Sequence, residues 1–273
     1  MDLTQVLEIT SATDPGMVRS HNEDSIASDP ANGLLVLADG MGGYNAGEVA
    51  SGMATTVITT EVAQVLATVQ PYDVDPENNK LATQIVRQQI LKANTSIYQA
   101  AQSQPQYSGM GTTLIVCLFY DNKVMIGHLG DSRVYRMREG AFSQVTRDHS
   151  LLQEQIDSGL ITAEQAKTAA HKNLVTKALG IDPTVEPEIH EYETQVGDVY
   201  LLCSDGLCDM VSDEDIGMTL SMLGGNLKLA TQQLIQMAND NGGRDNVSVI
   251  LARVLKAYPA ARGVMSKFFS WLK

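Results

Sequence analysis

The chain has 273 residues, 44% of them hydrophobic and 19% charged, a globular composition with enough length to bury a large core. Its formal net charge of −13 argues against nucleic-acid backbone binding as the main activity, since that requires a basic footprint. Cys117, Cys203 and Cys208 are odd in number and form no CxxC pair, so neither a disulfide framework nor a zinc site follows from them.

Residues 34–38 are the first apolar run that reads as a strand. Two long segments, 46–69 and 76–103, read as helices; the second carries Leu81, Ile85, Ile90, Ala93 and Ile97 at roughly helical spacing. Strands are expected again over 112–119, 123–127 and 133–137. The first two of these meet at Asp121-Asn122 as a hairpin, and the next pair meets at a tight turn, Gly130-Asp131-Ser132. Links this short imply antiparallel neighbours, because a parallel crossover needs about a dozen residues or more. Residues 148–180 are polar and helical only in short pieces, so they read as an insertion lying over the core. Val199–Cys203 and Val247–Val254 complete the strands. Between them, Ser212 followed by three acids reads as a helix start, and Asn226 as the N-cap of a helix reaching Asn239. The fold class is therefore α+β with layered packing. The opening MDLTQVLEIT lacks the pattern of a signal peptide, and no run reaches the roughly 18 apolar residues of a membrane span. A cytoplasmic location is expected.

Four short elements read as an apolar strand ending in an aspartate: Ala38-Asp39-Gly40, Leu129-Gly130-Asp131, Ser204-Asp205-Gly206 and Arg244-Asp245-Asn246. Any one Asp-Gly is a common turn. Gathered together, the carboxylates would repel one another without cations, so they are either scattered turns or a metal site. Oxygen-only ligation favours Mg²⁺ or Mn²⁺ over zinc or copper. The five histidines show no HxH or HxxxH pair and read as scattered.

Six ordered motifs, Arg19-Ser20-His21-Asn22-Glu23-Asp24, Ala38-Asp39-Gly40-Met41-Gly42-Gly43, Gly111-Thr112-Thr113, Gly130-Asp131-Ser132-Arg133, Ser204-Asp205-Gly206-Leu207 and Gly243-Arg244-Asp245-Asn246, resemble the protein phosphatase 2C family, bacterial branch. The resemblance spans about residues 8–254. It implies a four-layer α-β-β-α sandwich, two stacked antiparallel sheets flanked by helices. It also implies hydrolysis of phosphoserine and phosphothreonine in proteins, targets of a serine/threonine kinase, by a hydroxide held between metal ions. Carried over by position, Asp39 bridges two Mg²⁺ or Mn²⁺ ions and the Gly40 carbonyl binds one. Asp205 and Asp245 hold the other, Glu23 sits close and binds through water, and Asp131 with Asp205 forms a third, weaker site. Arg19 grips the substrate phosphate; its planar fork suits two oxygens at once, and a surface ion pair is the alternative.

The sequence departs from the family at Met41, where eukaryotic members often carry a histidine proposed as general acid, and at Tyr44, where bacterial relatives often have histidine. Residues 148–180 correspond to the family's flap, in which His171 and Asn173 are candidates for substrate selection; a passive surface loop is the alternative. The expected division is a catalytic domain over 1–254 and a tail over 255–273. The tail is basic, with no acid after Arg253, and as a helix would place Val264, Met265, Phe268, Trp271 and Leu272 on one face. Such a segment fits weak contact with an anionic membrane or a partner's groove, or a short helix folded back on the domain. The chain is expected to be monomeric. Two rival readings are a phosphoprotein-binding pseudophosphatase and a hydrolase of small phosphate esters.

Overall fold

Our computed structural model describes residues 2–43, 46–166 and 174–260. In chain order these form β1 (Leu7–Asp14), β2 (Asp24–Asp29), β3 (Leu34–Met41), α1 (Ala46–Leu66), α2 (Leu81–Ser103), β4 (Gly111–Thr112), β5 (Leu114–Tyr120), β6 (Lys123–Leu129), β7 (Arg133–Arg138) and β8 (Ala141–Gln144). There follow α3 (Leu151–Asp157), α4 (Ala163–Ala166), β9 (Glu188–Glu193), β10 (Val199–Cys203), α5 (Asp205–Cys208), α6 (Asp213–Leu223), α7 (Leu227–Asp240) and β11 (Val247–Val254). One sheet runs β1-β11-β10-β7-β8 and the other β2-β3-β5-β6-β9, with β4 added beside β3; every pairing is antiparallel.

Three apolar layers hold the stack together. Leu35, Leu37, Ile115, Cys117, Tyr200 and Ile250 fill the space between the sheets. Ile58, Val86, Ile90 and Ile97 pack α1 and α2 onto β3 and β5 through Val36, Val116 and Leu118. On the far side Ile216, Leu220, Leu234 and Ala238 pack α6 and α7 onto Leu201, Val249 and Leu251. This is the four-layer α-β-β-α sandwich that the motifs imply. Strands such as β5 have both faces covered, which is why every residue of it is buried and it reads as an unbroken apolar run.

The β5–β6 hairpin closes through Asp121 and Asn122, both with left-handed backbone (φ 46° and 56°), as a two-residue turn matched to sheet twist requires. The expected turn at Gly130-Asp131-Ser132 is different. β6 and β7 lie in different sheets, so the chain there crosses from one sheet to the other and the two strands do not pair. The predicted strand over 112–119 is broken at Thr113 into β4 and β5. The second helix begins at Leu81, not near Pro76, because Asp75 accepts the backbone N–H of Glu77 and Asn79 and holds that stretch in a turn. Ser212 and Asn226 cap α6 and α7 as expected, accepting from Asp215 N and Leu229 N at 3.1 Å each. Four strands, β1, β2, β8 and β9, have no counterpart in the sequence reading; all are polar and only partly buried.

Residues 258–260, assigned to the tail by the expected division, pack against the domain. Tyr258 is 2% exposed, and its hydroxyl bonds Thr194 Oγ1 (2.8 Å) and donates to Lys123 O (3.1 Å). Its backbone N–H donates to Asn122 Oδ1, and that of Ala260 to Asp121 Oδ1. A truncation designed to test the tail therefore has to begin at residue 261. Most of the tail, with Val264, Met265, Phe268, Trp271 and Leu272, lies outside the described residues, as do Tyr44, His171 and Asn173. Among the described residues no helix is long and apolar enough to cross a membrane.

Candidate active site

The candidate residues come from five separate parts of the chain and meet in one cleft. Asp39 lies within β3, opposite Asp24 of β2. Its backbone is pinned: its N–H donates to Thr113 Oγ1 (3.0 Å), and its carbonyl accepts from Thr113 N and Thr112 Oγ1 (both 2.8 Å). Thr113 Oγ1 also bonds Ser132 Oγ at 2.8 Å, fastening β3 to the crossing that carries Asp131. Gly40 has room for nothing larger, since a Cβ there would lie 2.2 Å from Gly47 O. That close approach brings the start of α1 onto Glu23, whose carboxylate accepts the Gly47 N–H.

Asp205 opens α5 directly after β10, and Asp245 stands two residues ahead of β11, not at a strand's end as its motif suggested. Asn246 ties these parts together. Its side-chain amide donates to Pro15 O (3.0 Å) and His21 O (2.9 Å), its Oδ1 accepts from Glu23 N (2.8 Å), and its own N–H donates to Asp245 Oδ1 (2.9 Å). The loop carrying Arg19 and Glu23 is thus sewn to the turn carrying Asp245.

All seven predicted residues outside the flap, Arg19, Glu23, Asp39, Gly40, Asp131, Asp205 and Asp245, line one cleft of about 240 Å³. Met41, Gly42, Thr113 and Val175 complete its walls. Val175 comes from the end of the flap, where it pairs with Ser150. Arg133 anchors the flap's beginning, holding Asp148 with Nε and Nη2 at 2.7–3.0 Å.

The electrostatics are those of acids held together by force. Burial, then the charges of Asp24, Asp205, Asp131 and Asp245, push Asp39 well above the usual carboxylate range. Burial, then Asp131 and Asp245, do the same to Asp205. Asp131 is pushed up to about 6 by burial and then by Asp148, and burial raises Glu23. Among the described residues the only cation lining the cleft is Arg19, half-exposed, with Nη2 donating to Asp245 Oδ2 at 2.7 Å. One guanidinium does not neutralise five carboxylates, and an all-oxygen donor set with excess negative charge fits hard divalent cations.

Asp24 stood in the quoted motif without a role. It is buried beneath Asp39 and raised to about 6 by burial, with Oδ2 accepting from Ser204 Oγ (2.8 Å). Its Oδ1 is buried with no hydrogen-bond partner among the described residues. Period-two alternation from Glu23 was the available signal, since it turns Asp24 inward when Glu23 faces the cleft.

A family model for protein phosphatase 2C matches residues 18–252. This chain belongs to that family. It is 38% identical over 253 residues to the serine/threonine protein phosphatase PstP of Mycobacterium tuberculosis, covering 93% of this chain but 46% of the relative, so the chain spans about half of that protein's length. The solved structure of serine/threonine phosphatase Stp1 from Staphylococcus aureus superposes with a TM-score of 0.81 at 36% identity, covering 94% of this chain and 98% of that one. The catalytic domain of PstP in complex with two manganese ions superposes with a TM-score of 0.78 at 38% identity, covering 92% of this chain and 99% of that one. The family and the fold implied by the six motifs are those found.

Proposed function

We propose that the protein is a metal-dependent phosphatase acting on phosphoserine and phosphothreonine in proteins. The observation that carries this is the convergence of five carboxylates and one guanidinium in a single cleft. The manganese-bound relative supports the choice of cation. Two or three Mg²⁺ or Mn²⁺ ions, when bound, supply an activated water and neutralise charge on the phosphoryl oxygens. Asp39 and the Gly40 carbonyl would hold one ion, Asp39 with Asp205 and Asp245 another, and Asp131 with Asp205 a third, with Glu23 beside them. The full acid set disfavours the pseudophosphatase reading.

Arg19 has two tasks available to it. In this structure it pairs with Asp245 through Nη2 and lines a cleft that would receive a dianionic phosphate. Bidentate binding orients the phosphoryl group and stabilises charge as the transition state forms. Arg19→Ala is expected to lower kcat/KM by about 10²-fold, and Arg19→Lys to restore only part of that, because an ammonium cannot reproduce the fork. Met41 brings no titratable group to its position, so no side chain there delivers a proton to the leaving oxygen. The walls Met41 and Val175 are apolar and narrow the space beside the acids.

The substrates we infer are targets of a serine/threonine kinase, met in the cytoplasm by a monomer whose three cysteines are free. His171 and Asn173 are proposed to select among them from the flap, and the tail to make a weak membrane or partner contact. The deciding assay is phosphate release from a phosphothreonine peptide, a nucleotide and a sugar phosphate, each with Mn²⁺, with Mg²⁺ and with EDTA. Release from the peptide that EDTA abolishes is expected. Equal or faster release from the small esters would move the reading to a small-molecule phosphatase, and none at all would leave a binding module.

A further inference from the structure

Three of the five histidines, scattered in the sequence, collect around one carboxylate: His128, His149 and His190 with Glu188. The rings of His128 and His149 are buried and stack in parallel with centroids 4.7 Å apart. Ligand atoms of His128, His149 and Glu188 lie within 4.8 Å of one another, a spacing a metal ion could use. The hydrogen bonds assign these groups otherwise. Gly130 N donates to His149 Nδ1 at 3.2 Å, and His149 Nε2 faces Glu188 Oε2 at 3.4 Å. His149 is therefore the neutral Nε2–H tautomer, and its one lone pair is taken by Gly130. Burial, then the charges of His128 and Lys177, hold its pKa down to about 4, which keeps that lone pair available at neutral pH. His128 Nε2 donates to Arg147 O at 2.9 Å.

What His149 grips is the peptide immediately ahead of Asp131. Its own N–H donates to Gly130 O at 2.9 Å, so ring and backbone hold Gly130 from both sides. Gly130 has φ +103°, and a Cβ there would lie 2.6 Å from the Thr113 side chain, so the turn is wedged between Thr113 and His149. His149 O also accepts from Thr176 N at 2.8 Å, next to the Val175 wall. We infer that His149 is a positioning residue that sets the Asp131 carboxylate in the cleft through Gly130. The inference rests on the proposed role of Asp131 as a cation ligand. The Thr176 bond uses the backbone of His149 and survives a side-chain change, whereas the Glu188 contact and the His128 stack go with the ring, so it is coupling to Asp131→Asn that isolates the link to Asp131.

The test is a double-mutant cycle on the full chain: wild type, His149→Ala, His149→Asn, Asp131→Asn, and His149→Ala with Asp131→Asn. Turnover of a phosphothreonine peptide across Mn²⁺ concentrations and Mn²⁺ binding by calorimetry are measured side by side. His149→Ala is expected to lower kcat roughly tenfold and to raise the Mn²⁺ needed for half-maximal rate, the usual cost of losing an outer partner of a ligand. His149→Asn, whose Oδ1 can accept from Gly130 N–H, recovers most of that. Added to Asp131→Asn, His149→Ala costs less than about twofold, because both act on one carboxylate. If the two losses multiply in full, or His149→Ala leaves both kcat and Mn²⁺ demand unchanged, the inference is wrong. If wild type releases no phosphate, the proposed function fails by itself. The calorimetric comparison of His149→Ala with wild type then still decides this role: unchanged Mn²⁺ binding sinks it, weakened binding sustains it.

Discussion

Asp39→Asn is expected to move activity and metal-free stability in opposite directions. Activity should fall by about 10³-fold or more, since the substitution takes a charge from the carboxylate proposed to bridge two cations. In EDTA at pH 7–8, the same substitution should raise Tm. Asp39 is buried among Asp24, Asp131, Asp205 and Asp245, so its charged form is disfavoured in the folded state. An acid whose folded pKa lies above its unfolded value binds more protons folded than unfolded over that interval. Its penalty is absent below pH 3.8, the ordinary value, and is fully developed only above the raised one. Asn carries no charge to bury and escapes the penalty, so the variant's advantage should be present at neutral pH and gone near pH 4. Each kcal/mol relieved should appear as about 2–4 °C in Tm for a chain of this size. Comparing variant with wild type at each pH removes the opposing contribution of His149, whose folded pKa is lowered and which loses stability as pH falls below 6.5 towards about 4. Saturating Mn²⁺ should reverse the order of the two melting temperatures, because the ion stabilises wild type by mass action. A metal-free Asp39→Asn that melts below wild type at pH 8 would mean that the acids are not strained, and the case for a cation-demanding cleft would lose its physical basis.

The legible parts of this molecule are those where one physical demand fixes residue type. Strands covered on both faces must be apolar, so β5, β10 and β11 could be read directly, the last two to the residue. Caps and tight turns need particular side chains or left-handed backbone, which made Ser212, Asn226 and Asp121-Asn122 visible. Hard-cation chemistry needs carboxylates at fixed places, and the motifs located the seven cleft residues. Hidden from the sequence were features set by tertiary pairing. β9, Glu-Ile-His-Glu-Tyr-Glu, is an edge strand paired only to β6, so it carries no apolar run to betray it. The crossing at Gly130 has the composition of a hairpin turn; only the stacking of the two sheets makes it a crossing. Asn246 looked like the tail of a metal motif, yet its amide joins the loop between β1 and β2 to the turn ahead of β11. His128, His149 and Glu188 are far apart along the chain and meet only because β6 pairs with β9 and residues 147–149 fold back beside Gly130.

Gly206→Ala, one residue beyond Asp205 of the cleft, is expected to damage both stability and activity. A Cβ at Gly206 would lie 2.0 Å from Asn246 O and 2.9 Å from Asn246 C, contacts with backbone that no side-chain rotation can relieve. Asn246 cannot give way alone, because it is bonded to Pro15, His21, Glu23 and Asp245. Moving it shifts Asp245 relative to Asp205, the residue next to the added methyl. We therefore expect a loss of about 1–3 kcal/mol, or more, in stability from overpacking. We also expect a fall in kcat/KM of about 10²-fold from displacement of the carboxylates by a fraction of an ångström to an ångström. Gly52→Ala in α1 is the matched control: a Cβ there meets nothing within 4 Å, and replacing glycine by alanine inside a helix should gain about 0.5–1 kcal/mol with activity unchanged. Thermal melts in EDTA and in Mn²⁺, read beside phosphate release, separate the two effects. If Gly206→Ala melts with wild type and keeps its rate, then Asn246 is free to move, and the sewing of the Arg19–Glu23 loop to Asp245 is not what holds the acids in place.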